Sequence, residues 1–188
     1  MTLLILGLVL FFAVHLLPSV PPLYRTLHDR LGEMPFQGVY SVIALGGLVL
    51  AGVGMAQAPV VPVWEPSELT KSLAPGLMLP AFMLLVLAYV PSNVHRFTRH
   101  PMLWGVFLWG LAHLLGNGDL ASMILFGSFA VYCPVAMISA NLRGAQKASG
   151  YKSMLGDLAG AGGGIALYAL FVFLHPYLFG VPALLPKA

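Results

Sequence analysis

Charged residues leave six long gaps in this 188-residue chain: no Asp, Glu, Lys or Arg occurs in 1–24, 34–64, 72–95, 100–118, 120–142 or 158–186. A helix crosses a bilayer core of about 30 Å with on the order of 20 apolar residues, and these gaps approach or exceed that length. With 59% hydrophobic and 8% charged residues and a mean hydropathy of +0.90, the chain has more apolar surface than one soluble core buries. The reading is all-α: a polytopic membrane helix bundle of about six transmembrane helices. They are expected over 2–23, 37–57, 74–92, 101–116, 120–140 and 160–179, with the whole of 1–188 as a single integral membrane domain.

The first apolar stretch, Met1 to Leu17, has no basic residue before it and prolines after it, so it reads as a span rather than a cleaved signal. Arg25 and Arg30 follow span one, Arg96 and Arg99 follow span three, and Arg143, Lys147 and Lys152 follow span five, while Lys71 and Lys187 fall on the other side. Basic loops stay in the cytoplasm, which places both termini in the periplasm. A net charge of +3 spread over such loops suits membrane topology and not nucleic acid. Gly46, Gly47, Gly52 and Gly54, and the run from Gly160 to Gly164, read as places where helices approach closely. The proline-rich segment 58–76, with Trp64, reads as an interfacial loop or short surface helix.

Chemistry in such a chain rests on its few polar side chains. The lone Cys133 excludes an intrachain disulfide and any multi-thiolate metal site. Asp29 with Glu33 and Glu65 with Glu68 sit in polar loops and read as solvated faces; Asp119, after a Gly-Asn-Gly turn, reads as the N-cap of span five. No phosphate-cradling P-loop is present. His28 reads as a surface residue and His175 as an interfacial one. His95 and His100 flank Arg96 and Arg99 where the chain re-enters the membrane at Pro101. That basic helix start suits either an anion, such as a phosphate or carboxylate, or simple headgroup anchoring.

His15 and His113 differ because each lies inside an apolar run, where an ionisable residue is costly and is a functional candidate by default. Counted from Arg25 and from Arg99, they lie about 15 Å and about 21 Å deep; Pro18, Pro21 and Pro22 would kink or end span one, and a span ending at Pro18 would put His15 near the cytoplasmic surface and make the pair a poor one. One helical face back from His113 come Gly110, Trp109, Val106 and Gly105; back from His15 come Phe12, Phe11 and Leu8. Small residues admit a flat ring and aromatic ones pack on it, and a neutral imidazole in an apolar wall is a normal axial haem ligand. Two histidines without a nearby carboxylate or thiolate suit haem better than zinc. The alternative is that each imidazole only bonds a neighbouring helix's carbonyl.

Taken together, GLVLFFAVHLLPSVPPLY at the start, TRHPMLWGVFLWGLAHLLGNGD at 98–119 and LFGS at 125–128 resemble the NnrU family of bacterial multi-pass inner-membrane proteins, over essentially the whole chain. That family is named for genes of nitric oxide and nitrite metabolism in denitrifying bacteria. It is in turn similar to the 15-cis-zeta-carotene isomerases, membrane enzymes with haem b. The resemblance implies a haem b whose ligands correspond to His113, in the LAH sequence, and to His15. Arg25, Arg96, Arg99 or His100 are the candidates to hold its propionates, and Gly105, Val106, Trp109 and Gly110 to line it.

An apolar lipid or polyene substrate and a respiratory or redox partner are the implied company. The isomerases have a cysteine where this chain has Gly110, so no thiolate can exchange for His113 there. RHPMLWG also resembles the RHPxYxG of S-adenosylmethionine-dependent membrane methyltransferases, with Leu103 in place of the tyrosine and no Glu in 141–155. A third reading is a non-enzymatic factor that assembles a respiratory enzyme.

Overall fold

The computed structural model describes residues 1–184; Lys187, counted above on the periplasmic side, lies outside the described residues. Among the described residues every regular element is helical. The elements are α1 (Thr2–Leu16), a single tight turn (Leu17–Ser19), α2 (Pro21–Leu31), α3 (Glu33–Ala56), α4 (Glu68–Leu87), α5 (Val94–Phe97), α6 (Pro101–Gly116), α7 (Leu120–Leu142) and α8 (Met154–Phe179). Five of them are long and apolar enough to cross a membrane: α1 with its following turn, α3, α4, α7 and α8. The expected fourth span, α6, keeps its predicted bounds at 16 residues, about 24 Å of rise against a hydrocarbon core of about 30 Å.

Span one is shorter than expected. Pro18 lacks the N–H to continue an α-helix, so α1 stops at Leu16 and the chain tightens through Ser19. Pro21 and Pro22 then occupy the first turn of α2, where a missing N–H costs nothing. Residues 21–23, expected inside span one, therefore belong to a separate helix. Tyr24, Leu27 and Leu31 share one side of α2, and Arg25 and Asp29 lie off it. Gly32, at φ 76° and ψ 162°, turns the chain into α3, a backbone conformation that a side chain disfavours. α4 starts earlier than expected because the Ser67 side chain caps it, accepting from the Thr70 N–H at 3.2 Å. α8 likewise starts at Met154 behind a Ser153 cap and ends at Gly180, φ 74°.

The chain forms two compact units. The first comprises Met1–Val63 and Asp119–Ser128; the second comprises Trp64–Gly118 and the chain from Phe129 on. In the first, α1 and α3 touch backbone to backbone. A Cβ on Gly47 would lie 2.8 Å from Gly7 O and 2.7 Å from Phe11 N, and one on Gly54 would lie 2.6 Å from Leu4 Cα. Gly46 and Gly52 have open space instead, so the glycines expected as one packing set divide into two kinds. α2 folds against α3 through Tyr24 and Phe36, whose rings meet edge to face at 5.3 Å. The expected loop before α4 is largely extended: Pro62 bridges Asp119 and the Leu120 N–H donates to Val61 O at 2.8 Å. Asp119 caps α7 as expected, accepting from Ser122 N and Oγ at 2.9 and 2.6 Å.

In the second unit α4 packs against both α6 and α8. A Cβ on Gly105 would lie 2.9 Å from Ala81 O. Gly160 and Gly164 face Leu87 and Met83 in the same way. The turn after α4 and the loop before α8 are locked by Asn93. Its backbone N–H and Nδ2 donate to the Asp157 carboxylate at 2.7 and 2.6 Å, its Nδ2 also donates to Lys152 O at 2.8 Å, and its Oδ1 accepts from Lys152 N at 2.9 Å. Removing the Asp157 acceptor leaves buried donors unmet, at a cost of about 1–3 kcal/mol. The Asp157→Ala protein is expected to be cut by trypsin at Arg143, Lys147 or Lys152 on the order of tenfold faster than wild type; an unchanged cleavage rate would show that the loop is held by other means.

Candidate functional site

The local chemistry at His15 and at His113 is the same. His15, in the last turn of α1, donates its Nδ1–H to the Phe11 carbonyl at 2.7 Å. His113, in the last turn of α6, donates its Nδ1–H to the Trp109 carbonyl at 2.9 Å. A carbonyl oxygen only accepts, so both rings carry a proton on Nδ1; in the neutral form the lone pair is then on Nε2. The expected alternative of a bond to a neighbouring helix is not what these Nδ1 atoms make; the acceptor is each histidine's own helix, four residues back.

Aromatic rings support each imidazole. The Phe11 ring stacks on His15 at 3.9 Å with 22° between planes, and Tyr40 of α3 lies 5.4 Å away. Trp109 lies 5.1 Å from His113 and is itself met edge to face by Phe129 at 5.4 Å. Asn117 Nδ2 donates to the His113 carbonyl at 2.8 Å, finishing the helix end. Both histidines are half-buried. The depth counted for His15 from Arg25 does not hold, because the helix ends at Leu16. His15 therefore lies one residue from the end of α1, the case expected from the sequence to be unfavourable to the pair.

The other candidates are spent differently. Gly105 is buried against α4, where Ala81 and Leu85 occupy the space of a side chain. Gly110 is buried and Val106 half-buried. Arg25 is exposed on α2. Arg96 lies over the Tyr151 ring at 5.6 Å. Arg99 Nη1 and His100 Nε2 both donate to Asn141 Oδ1, at 3.2 and 3.0 Å. Helix α6 puts about 20 Å of rise between His100 and His113, and Arg99 and His100 are engaged by Asn141.

Of the remaining histidines, His95 Nε2 donates to Leu87 O at 3.1 Å, and His28 sits beside Tyr24, Phe36 and Asp29. His175 Nδ1 donates to Val181 O at 2.6 Å, and its ring lies 4.8 Å from Phe179. Among the described residues no three His, Cys, Asp or Glu gather as a metal-holding group.

Tyr40, Phe129 and Asn141 were not singled out in the sequence. Tyr40 carries no local sign of its role, since it meets His15 only because α3 doubles back along α1. Asn141 carried one weak sign, a polar residue at the end of an apolar run.

A family model described as NnrU protein matches residues 3–183. No curated protein and no solved structure matches the chain.

Proposed function

Because the chain belongs to the NnrU family, we propose that it is a haem b-binding protein of the bacterial inner membrane, serving nitric oxide and nitrite metabolism, with His15 and His113 as the residues that would hold the haem. The observation that carries this reading is the shared Nδ1–H bond to the carbonyl four residues back. A haem ligand needs its Nε2 lone pair presented to iron, and a bond from the other ring nitrogen fixes that tautomer and the ring's orientation. Phe11 and Trp109 then hold the ring planes. When bound, such a haem supplies a one-electron redox couple.

The roles of the chain follow. Phe11 O and Trp109 O hold the protons on Nδ1, and Tyr40 and Phe129 back the rings. Arg25, which has no ion pair among the described residues, is the proposed propionate partner. Two imidazoles, with Gly110 where the isomerases have cysteine, would favour electron transfer with a respiratory partner over ligand exchange on a polyene. The same reading takes α6 as a sixth span and both termini as periplasmic.

Detergent-purified protein is expected to show sharp b-type bands on dithionite reduction and about one haem per chain by the pyridine haemochrome assay. A protein that stays colourless when expressed with ample haem would return both histidines to helix packing.

A further inference from the structure

We infer that the end of the second unit formed by Arg99, His100, Asn141 and Arg143 is a binding site for the phosphate of an anionic phospholipid headgroup. Two donors, a guanidinium N–H and an imidazole N–H, converge on one uncharged amide oxygen, Asn141 Oδ1. Arg143 follows two residues later and donates to Ser139 Oγ. An arginine offers five N–H donors, and a phosphate with two free oxygens matches this forked, positive array better than a single neutral oxygen does.

The charge balance points the same way. Among the described residues Arg96, Arg99, Arg143, Lys147 and Lys152 form no ion pair. Asp157 is the carboxylate at this end, and Asn93 occupies both its oxygens; Glu65 and Glu68 stand at the opposite end of α4. The cations are also held in place, since the Asn93 lock and the Ala148 N–H bond to His95 O at 2.9 Å tie the loop down.

What selects a lipid over free phosphate is the apolar surface between the cations. Phe97 is 75% exposed and Leu142 is 84% exposed, each beside one of the arginines in sequence. Large apolar side chains alternating with cations at the ends of spanning helices sit at the boundary of acyl chain and headgroup. A soluble anion makes no use of them. This site does not rest on the haem reading, because its test reads lipid binding and not haem content.

The test is binding of phosphatidylglycerol to the full chain in detergent, followed by native mass spectrometry and by the rise in unfolding temperature. Phosphatidylcholine and inorganic phosphate are the comparison probes. Each cation near the headgroup is worth on the order of fivefold in affinity, so Arg99→Gln with Arg143→Gln is expected to weaken phosphatidylglycerol about 25-fold. Asn141→Asp supplies an internal carboxylate to Arg99 and His100; it is expected to fold as stably as wild type and to lose the lipid, which keeps the test decisive if the double variant misfolds. Equal binding of phosphatidylcholine, or undiminished phosphatidylglycerol binding in Asn141→Asp, would overturn the site. Inorganic phosphate that binds as tightly as the lipid, with the same losses in the variants, would overturn the choice of a headgroup.

Discussion

Replacing His113 with alanine is expected to lower the haem content of the purified protein by on the order of 10- to 100-fold, the range seen when even an outer-shell partner of a metal ligand is lost. His15→Ala is expected to do the same. Free imidazole should restore the spectrum in either variant, because the aromatic ring that backs the lost side chain, Phe11 or Trp109, stays in place. His95→Ala and His175→Ala are expected to keep the wild-type spectrum, since neither lies in the shared arrangement of a histidine bonded four residues back within its own helix. The measurement is the reduced-minus-oxidised spectrum with a haemochrome titration on each variant. Full occupancy and an unchanged spectrum in His113→Ala would remove the ligand assignment, whatever the haem content of wild type.

The second large effect concerns packing. Gly54→Ala places a methyl group onto the Leu4 backbone, and backbone cannot swing aside as a side chain tip can. Overpacking of this kind costs about 1–3 kcal/mol, and α1 must move off α3 to relieve it. Gly52→Ala, two residues earlier on the same helix, meets nothing within 4 Å. It is expected to be neutral or to stabilise by about 0.5–1 kcal/mol, because alanine gives up less backbone freedom than glycine in a helix. Unfolding of the two proteins in detergent reads the contrast directly. If both shift stability in the same direction and by the same amount, the close approach of α1 and α3 is wrong.

These expectations show where the sequence was informative. The charge gaps located all the long helices, and their composition pointed to a membrane, because the cost of a charge in hydrocarbon acts residue by residue. Prolines 18, 21 and 22 were visible as breakers, yet span one was still extended to residue 23. Hydropathy continued past the point where the missing N–H ended the helix at Leu16. The helix starts at Ser67 and Ser153 lay upstream of the most apolar residues, so an apolar window missed them.

For the candidate site, the sequence picked His15 and His113 from their apolar surroundings, and it identified Phe11 and Trp109 as their neighbours on the same face. That worked because a residue four positions back is fixed by helix geometry alone. It assigned Gly105 to that face as well, and helix geometry could not show that α4 covers Gly105. It also offered Arg99 and His100 to the haem propionates, although α6 carries them about 20 Å along its axis from His113 and Asn141 engages both.

The sequence by itself determined an all-helical chain of membrane-spanning length, its family, and two histidines set within apolar runs. All of these follow from forces that act within a few residues: hydration of charge, backbone hydrogen bonding and the rise of a helix. Only the tertiary structure decided which of the five glycines in α3 meet a neighbouring backbone, that Tyr40 lies beside His15, that Asn93 locks onto Asp157, and that Arg99 and His100 meet at Asn141. Those contacts join residues roughly 25 to 65 positions apart, or separate glycines alike in sequence. They depend on which helix faces turn toward each other, a choice made by packing among whole helices.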